Sequence, residues 1–252
     1  GRRRNRHHDR RVVCPLRRHR GERLDRLRPA KGAPLGHLAA LLGIAREQAA
    51  DQVPIPVGLP PFSWPKGNPY TPAKAELGRL LYFDKRLSAD ESLSCASCHD
   101  PKFAFTDGAA VSTGIKSQKG NRSAPTIINH AYALAQFWDG RAPSLEEQAK
   151  GPMANPIEMG STHEAIATRL KAIPGYRPLF AKAFGSEEID IDRVAMAIAC
   201  FERTVLSGNA PYDRYKRGDK KAMSPAQVRG MSVFFDKAKC DKCHEGANFT
   251  LN

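Results

Sequence analysis

Apolar residues recur three and four positions apart in several stretches, and the residues just ahead of them are types that cap helices. Thr71-Pro72 reads as an N-cap and first helical position, with Leu77, Leu80 and Leu81 on one face of a helix running to about Phe83. Ser144-Leu145-Glu146-Glu147 fits a capping box whose helix should stop by Gly151. Ser161-Thr162-His163-Glu164 opens a helix carrying Ile166, Leu170 and Ile173, which Pro174 closes. From about Asp192, Val194, Ala197, Ile198, Phe201 and Val205 keep helical spacing. Ser224-Pro225-Ala226-Gln227 starts a further helix, whose Val228, Met231 and Phe235 lead on towards Cys240. No stretch alternates convincingly as a strand would. The pattern predicts an all-α fold with long loops at 84–94, 100–130 and around 150–160.

Two N-terminal stretches lack this periodicity. Residues 1–34 are rich in arginine and too poor in apolar residues to offset the entropy of ordering, so disorder is expected there. An apolar run from Leu35 to Ala45 and the small Ala49 and Ala50 follow, which makes residues 1–53 an imperfect signal region or a leader without function. Seven prolines between 54 and 72 fix φ and remove amide donors, predicting an extended arm. The folded body is expected to begin after it.

Charge changes the picture less than its total suggests. The net charge of +14 would ordinarily raise nucleic acid as a partner, but residues 1–51 hold 14 of the 40 bases and only 5 of the 26 acids. The excess belongs to the leader, and no nucleic-acid partner is expected. No apolar run approaches the roughly 20 residues of a membrane span, so a membrane-spanning protein is not expected either.

Four of the six cysteines form two copies of one pattern, Cys95-Ala96-Ser97-Cys98-His99 and Cys240-Asp241-Lys242-Cys243-His244. In Cys-x-x-Cys-His the two thiols can add to the two vinyl groups of a haem, and the adjacent histidine is then carried beneath the ring to bind its iron. Zinc is an alternative, but one tetrahedral ion would draw on pairs 145 residues apart and leave both histidines unexplained. A redox dithiol is another, though it wants a βαβ setting that this pattern lacks. Of the other two cysteines, Cys14 lies in the leader and Cys200 reads as a buried thiol on an apolar helix.

Further residues stand in order around the first copy: Leu77-Gly78-Arg79-Leu80-Leu81-Tyr82-Phe83-Asp84, Phe105-Thr106-Asp107-Gly108, Gln136-Phe137-Trp138-Asp139-Gly140-Arg141, Glu147-Gln148-Ala149, and Gly151-Pro152 with Asn155-Pro156-Ile157-Glu158-Met159. From about Leu77 to Phe249 the chain resembles the bacterial di-haem cytochrome c peroxidases, including their MauG branch. The resemblance implies two cytochrome c-like haem domains, a peroxidatic one over 73–206 and the start of an electron-transfer one over 207–252. It also implies a C-terminal truncation, because the chain stops eight residues after His244 while the family continues through the rest of the second haem pocket.

By position, the resemblance makes Cys95, Cys98 and His99 the attachment and iron-ligand residues of the first haem, and Cys240, Cys243 and His244 those of the second. Glu158 matches the family's catalytic acid/base, Gln148 its companion, and Trp138 the tryptophan between the haems. By residue type alone, Glu158 is a solvated loop acid, Trp138 plain core packing and Arg141 a turn residue. The implied activity is reduction of hydrogen peroxide to water, with electrons from a small donor protein, a cytochrome c or cupredoxin, through the second haem. The implied location is the periplasm, and members are commonly homodimers.

Two positions depart from the pattern. Ile115 stands where classical members place a histidine that caps the resting peroxidatic iron. The first haem is therefore expected to lack a protein ligand on its far side, as in the MauG branch, with His130 and His163 read as surface or structural residues. Ser123 replaces an asparagine that usually helps bind calcium, so a single calcium ion is the weakest of the implied cofactors. Met223 and Met231 are expected in the core. Two other readings stay open, a MauG-like oxidase acting on a protein or small molecule and a non-catalytic di-haem electron carrier.

Overall fold

The computed structural model describes residues 53–250. All but the last residue of the expected leader, and Cys14 with it, lies outside the described residues. The helices are α1 (Pro72–Tyr82), the one-turn α2 (Cys95–Cys98), α3 (Leu145–Ala154), α4 (His163–Lys171), α5 (Tyr176–Phe184), α6 (Ile191–Glu202), α7 (Pro211–Lys216) and α8 (Pro225–Ser232). Among the described residues there is no strand, only isolated bridges pairing Asp100 with Thr106, Thr113 with Lys119, and Gln136 with Ala142.

The caps act as their sequences require. Thr71 accepts from the Lys74 amide at 3.1 Å, Thr162 from Ala165 at 3.1 Å, Asp190 from Arg193 at 2.8 Å and Ser224 from Gln227 at 3.3 Å. Each satisfies an amide that the first helical turn leaves without an intrahelical partner. At Ser144 only half of the box forms. Its hydroxyl accepts from the Glu147 amide, while the Glu147 carboxylate reaches Lys150 instead.

Helix α6 is central, packing against α1, α3 and α4. Val194, Ala195 and Ile198 face Leu77, Leu81 and Tyr82 of α1, with Ile166, Leu170 and Phe180 completing the core. The α1 and α6 backbones meet at Gly78, where a Cβ would lie 1.8 Å from the Ala197 carbonyl oxygen. Cys200 is fully buried on α6, as expected.

Residues 53–71 contain neither helix nor strand. Their backbone is held at Val57 and Pro60, whose carbonyls accept from Asn209 and from the Tyr132 hydroxyl. The buried Asn68 donates to Glu146 and to the Met196 carbonyl and accepts from Lys74. Glu146 in turn forms a two-pronged pair with Arg203 at 2.6 and 2.9 Å, which ties this segment to α3 and α6.

The structure corrects several expectations. Helix α3 does not stop at Gly151 but runs to Ala154. Pro152 removes one amide near the helix end, while Met153, buried beyond it, anchors the final turn in the core. Helices α5 and α7 were not anticipated. The first starts at Gly175 without a side-chain cap, and the second is six residues long. Helix α8 passes into a π-turn at Val233–Lys237, and Met223 and Met231 are half-buried instead of lying in the core.

Candidate functional site

The first motif opens on a cavity of about 540 Å³, within the range of small-molecule and cofactor sites. Cys95, Cys98 and His99 line it from α2, and Gln148 and Glu158 line it from α3 and the loop that follows. Ser94 steadies the start of α2 through its own N–H, which donates to Ser97 Oγ at 2.9 Å. Burial pushes the Cys95 thiol up to about 12 and raises that of Cys98, so neither is the acidic thiolate that a redox dithiol requires. Among the described residues no three His, Cys, Asp or Glu side chains gather as a metal cluster.

His99 is oriented by the backbone. Its Nδ1 lies 2.9 Å from the Pro125 carbonyl and 3.2 Å from that of Phe105, so Nδ1 carries the hydrogen and Nε2 keeps its lone pair. Burial holds the ring below the usual histidine range and hence neutral. The Tyr82 hydroxyl, donating to the His99 carbonyl at 2.8 Å, fixes the backbone beneath it. A neutral imidazole whose second nitrogen is held by a carbonyl is the arrangement of a metal-ligating histidine.

Glu158 sits on a tightly fastened loop. Asn155 Nδ2 donates to its carboxylate at 2.9 Å, and the Glu158 carbonyl accepts from the Ile115 amide at 2.8 Å. The Met159 and Gly160 amides return to the carbonyls of Pro152 and Asn155. This loop presses so closely on residues 114–115 that a Cβ on Gly114 would lie 1.9 Å from the Ile157 carbonyl oxygen. Glu158 is thus not the freely solvated acid its residue type suggests. Burial raises its carboxyl above the usual range, against the charge of Arg141 and the Asn155 hydrogen bond. Ile115 is buried against Gly160 and is not among the residues lining the cavity.

Trp138 is no core residue. It is 57% exposed at the cavity wall, donating its indole N–H to the Ser123 carbonyl at 2.9 Å. Arg141 stacks over Phe137, 3.5 Å from the ring centre, and pairs with Asp139. His130 belongs to the cavity wall and not to the surface, with Nδ1 2.7 Å from Gln136 Oε1. His163 is structural, its Nε2 3.0 Å from the Lys150 carbonyl. The sequence reading missed Glu202, a buried acid on the same wall. Its signal was present, since Val194, Ile198 and Glu202 occupy one stripe of α6.

The second motif is built differently. Cys240–Lys242 is a 3₁₀ turn entered through Lys239 at φ 57°. His244 Nδ1 lies 3.1 Å from the Phe249 carbonyl, which leaves Nε2 available as at His99. An open cavity of about 500 Å³ adjoins it, lined by Tyr212, Met223, Met231, Phe234, Phe235 and Phe249 among others, with no acid among the described residues that line it. Cys240 and Cys243 are not among the residues lining this cavity.

The family model for di-haem cytochrome c peroxidases matches residues 72–221. The chain belongs to that family. It is similar to the methylamine utilization protein MauG of Methylorubrum extorquens, at 46% identity over 74% of this chain and 53% of that one. Cytochrome c551 peroxidase of Nitrosomonas europaea is also 46% identical, over 68% of this chain and 51% of its own. Among solved structures, a MauG-like protein associated with microbial copper homeostasis superposes with a TM-score of 0.71 at 38% identity, covering 78% of this chain and 58% of that one. The chain spans about half the length of the curated relatives it matches.

Membership in the di-haem peroxidase family implies haem as cofactor, and the residues present suit it. The first cavity gathers two thiols and a neutral histidine with a free nitrogen within a lining of mixed apolar and polar side chains, the latter including Arg122 and Arg141, which suit a group with an apolar ring and anionic edges. The second motif supplies the same three residue types beside an aromatic and methionine wall.

Proposed function

We propose that this protein reduces hydrogen peroxide to water at the first cavity, with electrons arriving from a small donor protein through the second motif. Cys95 and Cys98 would fasten one haem and Cys240 and Cys243 another, with His99 and His244 as their iron ligands. When bound, the haems supply the iron that accepts the donor's electrons and passes them to peroxide. Glu158 carries the proton chemistry: reducing one peroxide to two waters consumes two electrons and two protons, and a carboxylate can take a proton from one oxygen and return it to the other. Gln148 would orient the peroxide and Trp138 would lie on the electron route. Haem is attached outside the cytoplasmic membrane, so the proposal includes a periplasmic location.

The observation that carries this reading is a half-buried, fastened carboxyl on the same cavity as a Cys-x-x-Cys-His motif. Turnover of peroxide with a reduced cytochrome or cupredoxin should largely vanish in Glu158→Gln at unchanged haem content. Equal rates in both proteins would refute the role of Glu158.

Ile115 favours a second reading, a MauG-like oxidase acting on another protein or small molecule. With an aliphatic side chain buried under Gly160, that position offers the iron no ligand to be released by prior reduction. Peroxide added to the resting, fully oxidised protein should therefore change its spectrum directly. A protein that responds only after pre-reduction would count against this branch.

A further inference from the structure

Glu202 ends α6 and is 5% exposed, and its Oε2 has no hydrogen-bond partner among the described residues. It lines the first cavity. The cation beside it, Arg203, is committed elsewhere, both terminal nitrogens reaching Glu146 on α3. The other groups facing Glu202 are the Cys95 thiol on α2 and the Tyr82 phenol at the end of α1, both neutral, since burial raises each above its ordinary value. Low dielectric and a spent counter-charge disfavour an ionised carboxylate there, so this carboxyl holds a proton more tightly than an exposed acid does and releases it only on the alkaline side of neutrality.

We propose that Glu202 is a redox-linked proton-holding residue of the first cavity, taking up one proton from solvent as the haem iron there gains one electron and returning it on oxidation. The proposal rests on the haem reading above. The bookkeeping is one electron from the reductant to the ferric iron and one proton from water to the Glu202 carboxylate. Glu202 acts electrostatically on Cys95, which would fasten the haem on the same cavity, so the loss of one positive charge there would act on the carboxyl across a low-dielectric interior. By linkage, protonating Glu202 then favours the reduced iron by the same factor.

The pH range follows from the carboxyl itself, which burial pushes up to about 8, with Arg203 opposing and Glu146 adding to the shift. Reduction raises its proton affinity. The potential is therefore level on the acid side of that range, falls with rising pH through it, and levels again on the alkaline side. The steepest slope for one proton per electron is a tenfold change in the reduction equilibrium per pH unit, about 59 mV.

The test is a spectroelectrochemical titration of the protein carrying both haems, from weakly acidic to alkaline pH. The first-haem potential of the wild type should fall as described, and Glu202→Gln, which keeps the shape but does not titrate, should remove the fall without altering the second haem. A wild-type potential independent of pH, or the same slope in the variant, overturns the proposal. If the variant does not mature, the infrared difference between oxidised and reduced wild type serves instead. At a pH within the range where the potential falls, a carboxylic-acid carbonyl band should grow on reduction, shift in deuterium oxide and persist in Glu158→Gln. No such band overturns the proposal, and haem content, assayed separately, shows whether the haem reading itself has failed.

Discussion

The two Cys-x-x-Cys-His segments hold their histidines alike and surround them differently. At both, a backbone carbonyl on a following segment takes the Nδ1 hydrogen and leaves Nε2 available. Around the first stand Gln148, Glu158, Arg141 and Glu202, brought from α3, two loops and the end of α6. Around the second stand aromatic rings and two methionines, with no acid among the described residues lining that cavity. Ligation needs five residues and one carbonyl, whereas proton chemistry needs a wall imported from far along the chain. On the proposed reading the motif would say where an iron is held, and its surroundings what that iron could do.

The sharpest way to break this comparison is to remove the acid from one wall and alter the other. General acid–base groups contribute about 10²- to 10⁴-fold, so Glu158→Gln should lower peroxide turnover by about that much. Met231→Leu, a near-isosteric change beside His244, should cost less than about tenfold because it removes no proton-carrying group. Steady-state rates normalised to haem content decide this. Comparable losses in the two variants would mean that the second wall is as chemically specific as the first.

A smaller effect separates fold from site within the first region. Gly78 and Gly114 each meet a carbonyl oxygen at a distance no Cβ tolerates, one between α1 and α6 and the other beneath the Glu158 loop. Alanine at either should cost about 1–3 kcal/mol by overpacking, read as a lowered melting temperature. Only Gly114→Ala should also depress turnover, because the amide of Ile115, the next residue, holds the Glu158 carbonyl. Equal turnover in both variants would separate the loop's packing from its chemistry.

These contrasts also mark what could be read from sequence. Helices α1 and α4 were legible because each begins with a residue whose side chain or ring suits a helix start, and α6 because its apolar residues keep helical spacing, although its Asp190 cap was not read. Helix α5 was not legible, since Gly175 offers no capping oxygen and its burial of Tyr176, Phe180 and Ala183 depends on tertiary contacts. The grouping of Cys95, Cys98 and His99 on one cavity was legible because their spacing keeps them adjacent. Glu202 was overlooked because an acid on an apolar stripe reads as a helix end exposed to water. Its significance comes from Arg203 being occupied by Glu146, a pairing between residues 57 apart. Trp138 was misjudged on the core-packing reading because the apolar area of a ring says nothing about which surface it faces.

The smallest effect tests whether the two regions are independent. Asn129, at φ 62°, exchanges two side-chain hydrogen bonds with the Ser207 backbone, and its carbonyl accepts from Asn248 Nδ2 at 3.0 Å. Asn248 is next to Phe249, whose carbonyl orients His244, while Asn129 lies four residues beyond Pro125, whose carbonyl orients His99. One hydrogen bond therefore joins the segments that hold the two histidines. Asn248→Ala should cost only about 0.5–1.5 kcal/mol, the net worth of one such bond. Its effect should fall unequally: Asn248 is the residue next to Phe249, whereas Asn129 stands four residues from Pro125, whose segment is also held by the Thr126 hydroxyl on the Ala104 carbonyl. The second haem's ligand-field spectrum and potential should shift while those of the first stay fixed. A matching shift at both would show that the carbonyls holding His99 and His244 move together, and the two sites would then have to be treated as one mechanical unit.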